Sequence, residues 1–174
     1  KSDTEVILAA YREWGTDCLA RLNGAFAFAL YDGRRRQLFM ARDRAGEKPL
    51  FYAPAQGVLR FASELKGLMA DPTLARRLDP EALDCYLAMG YVPGERSMLQ
   101  GVKKLPPAHA LVFDLGSGQS RLWRYWQLPE PDASAAHGQA DEAGLLQELE
   151  ALLEDAVRRQ LVADVPVGVL LSGG

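Results

Sequence analysis

The stretch from Asp164 to Gly174 (DVPVGVLLSGG) constrains the chain more than any other, because an apolar run breaks into Ser-Gly-Gly where a strand would hand over to a loop. Val165 to Leu171 suit a strand buried on both faces. Gly173 and Gly174 let backbone N–H groups approach an anion with no Cβ in the way, so the turn can cradle phosphate oxygens. Taken alone, the same residues also fit an ordinary tight turn. Neither the G-x-x-x-x-G-K-[ST] spacing of a P-loop nor the dinucleotide fingerprint occurs in the chain. Upstream, Leu145, Leu146, Leu149, Leu152, Leu153, Ala156, Val157 and Leu161 recur at three- and four-residue intervals, which predicts an amphipathic helix running into the strand. Helix, strand and Gly-rich turn together read as the opening of an α/β nucleotide domain.

Between Pro129 and Gly144 the chain is rich in Pro, Ala, Ser, Asp and Gly and nearly free of large apolar side chains, the composition of an interdomain linker. Before it the pattern is that of a mixed domain. Ser2-Asp3-Thr4-Glu5 has capping-box spacing ahead of a helix over residues 3–14 that Gly15 stops, and Thr16 is placed to cap a short second helix from Cys18 to Leu22. Phe26 to Tyr31 and Gln37 to Arg42 read as a hairpin across Asp32-Gly33. Pro49 to Ala53 and Val58 to Ala62 read as another across Gln56-Gly57, followed by a short helix from Ser63 to Met69. Asp79 and Pro80 open a helix that ends near Met89 and Gly90, and Ala110 to Leu115 turns back to Leu122 to Trp126 as a small closing hairpin. Antiparallel strands flanked by helices indicate an α+β layered domain.

The 174 residues are 48% hydrophobic, enough for a packed core, and 20 basic against 23 acidic side chains give a net charge of -3 with no basic tract. That balance offers no electrostatic reason to expect nucleic acid or an anionic membrane as partner. Only Cys18 and Cys85 occur, without a C-x-x-C pair or a His in metal-ligand spacing, so a reducing cytoplasm is the expected location and neither a disulfide framework nor a zinc site is expected. His109 and His137 have no partner in recognisable spacing. Arg42, Asp43, Arg44 and Lys48 form a charge cluster between strands; such a run is ordinarily a solvated turn whose ion pairs contribute roughly 0–1 kcal/mol each, and here it is assigned a structural and not a catalytic role. Glu64 and Lys66 read as a helix start and a domain contact.

Seven segments, in order, resemble the class II glutamine-hydrolysing asparagine synthetases, in which an N-terminal-nucleophile (Ntn) glutaminase is fused to an ATP-pyrophosphatase. They are Ser2 to Ile7 (SDTEVI), Leu22 to Asp32 (LNGAFAFALYD), Ala41 to Leu50 (ARDRAGEKPL), Phe61 to Lys66 (FASELK), Gly90 to Pro93 (GYVP), Lys104 to Pro107 (KLPP) and Asp164 to Gly174. The resemblance implies a partial Ntn-type αββα glutaminase domain, the C-terminal part of a type 2 glutamine amidotransferase, over residues 1–128. A linker over 129–144 and the start of the ATP-pyrophosphatase domain over 145–174 follow. It implies that L-glutamine releases ammonia at one site and that L-aspartate is activated with ATP at another, with Mg²⁺ expected for the full-length parent and a homodimer as its assembly.

By the same resemblance Asp3 holds the α-amino group of glutamine, Leu171 lies beside the adenine nucleotide, and Ser172, Gly173 and Gly174 meet the pyrophosphate. A carboxylate suits an ammonium through charge-assisted hydrogen bonds. Asp3 equally fits a helix-capping role, and both can hold. The family's nucleophile is an N-terminal cysteine. Lys1 occupies position 1, and neither Cys18 nor Cys85 can present a free amine, so the polypeptide alone is expected to be an inactive fragment, cut at both ends, of a larger ligase. A related amidoligase with another acceptor, such as a β-lactam synthetase or a sugar-acid amidating enzyme, shares these motifs, and a truncated remnant is a further alternative.

Overall fold

Strand pleating, which sends alternate side chains to opposite faces, organises the larger part of this chain. A computed structural model describes residues 2–55, 57–130 and 141–170. The chain divides into two units, Lys1–Leu128 and Pro129–Gly174. In the first, helix α1 (Asp3–Trp14) leads into a 3-10 helix (Gly15–Arg21), and β1 (Ala27–Asp32) and β2 (Gln37–Arg42) follow. Next come β3 (Phe51–Ala55), β4 (Val58–Ala62), α2 (Leu65–Leu68), α3 (Pro80–Met89), β5 (Lys103–Lys104), β6 (His109–Asp114) and β7 (Ser120–Arg124). The second unit carries α4 (Glu142–Gln160).

All described strand pairs are antiparallel, and they form two sheets, β1-β2-β6-β7 and β4-β3-β5. The closing hairpin is half of the first sheet. Phe39 and Ala41 on β2, with Ala110 on β6, face α1 and the 3-10 helix, where they meet Ala10, Cys18 and Leu19. Met40 on β2, with Leu111 and Phe113 on β6, point the other way, onto Leu50, Tyr52 and Leu105. Beyond the second sheet, Ala53 packs with Leu68, Leu99 and Val102. The unit is thus α+β, stacked as helix, sheet, sheet, helix.

Several boundaries follow from local chemistry. Asp79 caps α3 by accepting from the Glu81 and Ala82 N–H groups at 3.0 and 3.2 Å, and Gly90 closes it in the left-handed conformation. The Ser2–Glu5 capping box does not form: the Glu5 N–H goes to the Ser2 carbonyl at 3.0 Å, and the Ser2 hydroxyl makes no cap bond. Likewise Thr16 is not a cap, because the 3-10 turn begins one residue earlier, at Gly15. β3 begins at Phe51 rather than Pro49, since Pro49 has no N–H and Leu50 already accepts from the Leu105 N–H at 2.8 Å. β7 starts two residues earlier than Leu122 because Asp114 folds the turn tightly, accepting from Gly116 and Ser117 N–H at 3.0 and 2.7 Å. Gln56, in the other expected turn, lies outside the described residues.

In the second unit α4 forms as its periodicity predicts and has no buried residue. Pairs at i,i+4, Glu154 with Arg158 and Asp155 with Arg159, lie along it. The strand expected over Val165 to Leu171 is not formed between 165 and 170, and Leu171 lies outside the described residues. A strand exists only through its ladder, and the described part of this unit contains no second extended segment to pair with. Among the described residues no helix is long and apolar enough to cross a membrane.

Phe39 is the centre of the first core: it is 1% exposed, stacks on Tyr11 and Trp123 at 5.5 and 6.2 Å, and takes an edge contact from Phe28 at 5.5 Å. Phe39→Ala is expected to cost about 3–5 kcal/mol of unfolding free energy, measured by urea denaturation.

Candidate functional site

Asp3 opens α1 as an exposed carboxylate in the first turn, where the helix dipole favours a negative charge. It lines a cleft of about 620 Å³ with Thr4, Ile7 and Leu8 from the same helix. The floor is the run from Ala25 to Tyr31, which contains most of the edge strand β1. Lys48, Pro49 and Ser63 complete the lining. Asp3 and Lys48 are its only charged side chains, and no ion pair joins them among the described residues. Chemically, the cleft offers one carboxylate to an ammonium, one cation, and an apolar floor.

The loop that delivers Lys48 and Pro49 is not the solvated, ion-paired turn that its composition suggests. Asp43 is 1% exposed. Its Oδ1 accepts from the N–H of Ala45 and Glu47 at 3.1 and 3.0 Å, and its Oδ2 from that of Lys48 at 3.0 Å. Burial alone pushes this carboxyl's pKa up, but the N–H groups of Lys48 and Glu47 outweigh it and hold the group below the usual carboxylate value. The neighbouring Arg42 spends its guanidinium on three carbonyls, those of Lys48, Leu105 and Gly46, at 2.8, 2.7 and 2.6 Å. The Tyr125 hydroxyl in turn donates to the Arg42 carbonyl at 2.8 Å, and burial, followed by the Asp43 charge, pushes its pKa up to about 12. Backbone groups thus replace ion pairs: none of Arg42, Asp43, Arg44 or Lys48 forms a salt bridge among the described residues.

Of the residues to which the resemblance gives a binding role, Asp3 is the one among the described residues, and it falls in this cleft. Leu171, Ser172, Gly173 and Gly174 lie outside the described residues, as does His137. His109 sits beside the Pro107 carbonyl, its Nδ1 2.7 Å away. Glu64 and Lys66 pair with each other at 2.7 Å on the surface. Cys18 is buried in the first core, where burial pushes its thiol pKa up, and Cys85 is half-buried in α3. A larger hollow, about 1120 Å³, lies by the C-terminal end of α1. Its Tyr11 hydroxyl and Asp32 carboxylate are spent on each other and on the Arg34 and Arg35 N–H groups, which closes the β1–β2 turn. Lys48 is the cleft residue that sequence reasoning assigned elsewhere. An aspartate opening a loop that also holds Gly46 and Pro49 was the available signal of order.

Gly46 has φ +72, and a Cβ there would lie 2.7 Å from Pro107 Cγ and 3.1 Å from Arg42 Cζ. Gly46→Ala is therefore expected to cost about 1–3 kcal/mol, measured by thermal unfolding. A second expectation concerns acid. Asp43 is joined by Asp32 and Asp114, both lowered chiefly by backbone N–H groups, and by Asp71, brought to about 2 by the Thr73 hydroxyl and then Arg60. Folded values below the ordinary 3.8 mean stability that is present above that pH and lost as pH falls through the depressed values. Melting temperature should fall between about pH 4 and pH 2, and less steeply in Asp43→Asn.

The family model described as a glutamine amidotransferase domain matches residues 1–126, and the one described as asparagine synthase matches residues 148–174. Asparagine synthetase [glutamine-hydrolyzing] 3 of Bacillus subtilis is 42% identical over 99% of this chain and 27% of its own length. Putative asparagine synthetase [glutamine-hydrolyzing] 2 of Methanocaldococcus jannaschii is 37% identical over 99% of the chain and 33% of its length. The amidase chyE of Penicillium rubens is 35% identical over 99% of the chain and 25% of its length. The chain spans about a quarter to a third of the curated relatives it matches. With the amidotransferase model matched along most of its residues, the cleft-bearing unit included, this chain belongs to the glutamine amidotransferase domain family.

Proposed function

We propose that the chain is a segment of a glutamine-dependent asparagine synthetase and forms part of its glutamine site. The overall reaction is L-aspartate, ATP, L-glutamine and water to L-asparagine, AMP, diphosphate and L-glutamate. The observation that carries the reading is Asp3, the only carboxylate lining the cleft among the described residues, at the N-terminus of α1. Asp3 receives the α-ammonium of glutamine and, through that pairing, orients the side-chain amide. The helix holds the carboxylate in place before the ligand arrives.

For the second half-reaction, Leu171 lies beside the adenine, and the backbone N–H groups of Ser172, Gly173 and Gly174 receive the pyrophosphate that leaves as aspartate is adenylated. In this reading residues 145–174 open the ATP-pyrophosphatase domain, 129–144 link it, and 1–128 end an Ntn-type glutaminase. Mg²⁺, when bound, would offset phosphate charge. Among the described residues no three His, Cys, Asp or Glu side chains come together to hold it. The cytoplasmic location rests on cysteine usage, and the homodimer on the family likeness. The amidase relative favours a second reading, in which the same glutamine site feeds a different acceptor.

Asp3→Asn in the full-length protein is expected to lower kcat/KM for glutamine roughly 10- to 150-fold, the loss of one charge-assisted hydrogen bond, while synthesis from free ammonia is spared. Equal loss with both donors would overturn the assignment. Pyrophosphate release that depends on aspartate separates the two acceptor readings, and no release with any acceptor would mark a catalytically dead remnant.

A further inference from the structure

We infer that Asp43 is a positioning residue for the glutamine cleft, fixing the backbone of its Lys48 side to that of its Phe26 floor. The inference rests on the proposed reading that glutamine occupies the Asp3 cleft. Phe26, Lys48 and Asp3 all line that cleft, whereas Asp43 does not. Yet Asp43 holds both of the first two. Its N–H donates to the Phe26 carbonyl at 2.8 Å, and its Oδ2 accepts from the Lys48 N–H at 3.0 Å. Its own carbonyl accepts from the Ala108 N–H at 2.8 Å, which ties both to the segment entering β6.

The carboxylate is anchored in an unusual way. A buried charge is normally met by a cation, and Arg42 is adjacent in sequence, but Arg42 is fully turned toward carbonyl groups. Three N–H groups that converge on Asp43 neutralise it instead. Such an arrangement demands an acceptor on both oxygens. An amide in its place offers one acceptor and directs its NH₂ at an N–H donor, so at least one strand of the anchor is lost. Since Lys48 is held through its N–H by Asp43 and through its carbonyl by Arg42, release of the first leaves this part of the cleft tethered at one end only. Side chains of the α1 core are not involved, so the lesion is local.

Asp43→Asn in the full-length protein is expected to raise KM for glutamine roughly 10-fold or more, as misplacement of a site wall does, with kcat at saturating glutamine changed less than about 3-fold. Gly46→Ala, which strains the same loop without touching the carboxylate, should shift KM in the same direction and serves if Asp43→Asn does not fold. Leu111→Ala, placed in the core between the sheets, supplies a destabilised control whose glutamine KM should stay within about 2-fold. A rise in Leu111→Ala equal to that in Asp43→Asn overturns the inference, because the effect then follows global stability. With Asp3→Asn assayed alongside, a raised KM there and an unchanged KM in Asp43→Asn overturns the positioning role alone. Unchanged KM in both overturns the cleft reading as well. A rise in Asp43→Asn alone upholds the positioning role and moves the ammonium contact away from Asp3.

Discussion

Strand β2 buries its centre on both sides, and the layering of the first unit depends on it. Phe39, Met40 and Ala41 are all at or below 1% exposure although the pleat sends them in opposite directions. Such a strand must be covered on each side by something apolar. On one side the cover is α1 with the 3-10 helix, on the other a second sheet, whose far face in turn recruits α2. Because β6 pairs with β2 in register, Met40 opposite Leu111, the same division of faces is imposed on the next strand. A one-residue slip between them would exchange every inward and outward side chain at once.

Much of this architecture was legible before any coordinates. Local signals that act through a single residue were read correctly: Asp79 with Pro80 opening α3, Gly15 ending α1, and the leucine periodicity of α4. What the sequence concealed was partnership between distant segments. The hairpin from Ala110 to Trp126 forms as expected, but nothing in the run from Ala110 to Leu115 says that it will also lie beside β2, because antiparallel pairing across sixty-odd residues leaves no periodic trace. The two-residue strand β5 is too short for any pattern, and the apolar run before Ser172 has strand composition without a neighbour to make it one.

The site divides along the same line. Asp3 is legible as a candidate because it sits inside a recognisable segment and the chemistry of an ammonium partner is simple. The Asp43 loop is legible as structural, but not how it is held: charge-rich composition usually denotes solvated surface, whereas here the charges are consumed by main-chain groups. Buried acids held only by N–H groups resemble exposed turns when read as letters. Their difference lies in a close approach of Gly46 to Pro107 and Arg42, which no spacing rule reports.

The two outer strands of the first sheet are unequally protected. β7 presents Arg121 and Arg124, the kind of charge that discourages a foreign strand from adding itself to an open ladder. β1 presents Ala, Phe, Ala, Leu and Tyr with no charge before Asp32, and Tyr31 is largely exposed. The cleft floor is therefore also the sticky seam of this polypeptide. Among the described strands of this sheet β1 is the edge least guarded against pairing between molecules, and a ligand or polypeptide lying over that floor would shield it as well as occupy it.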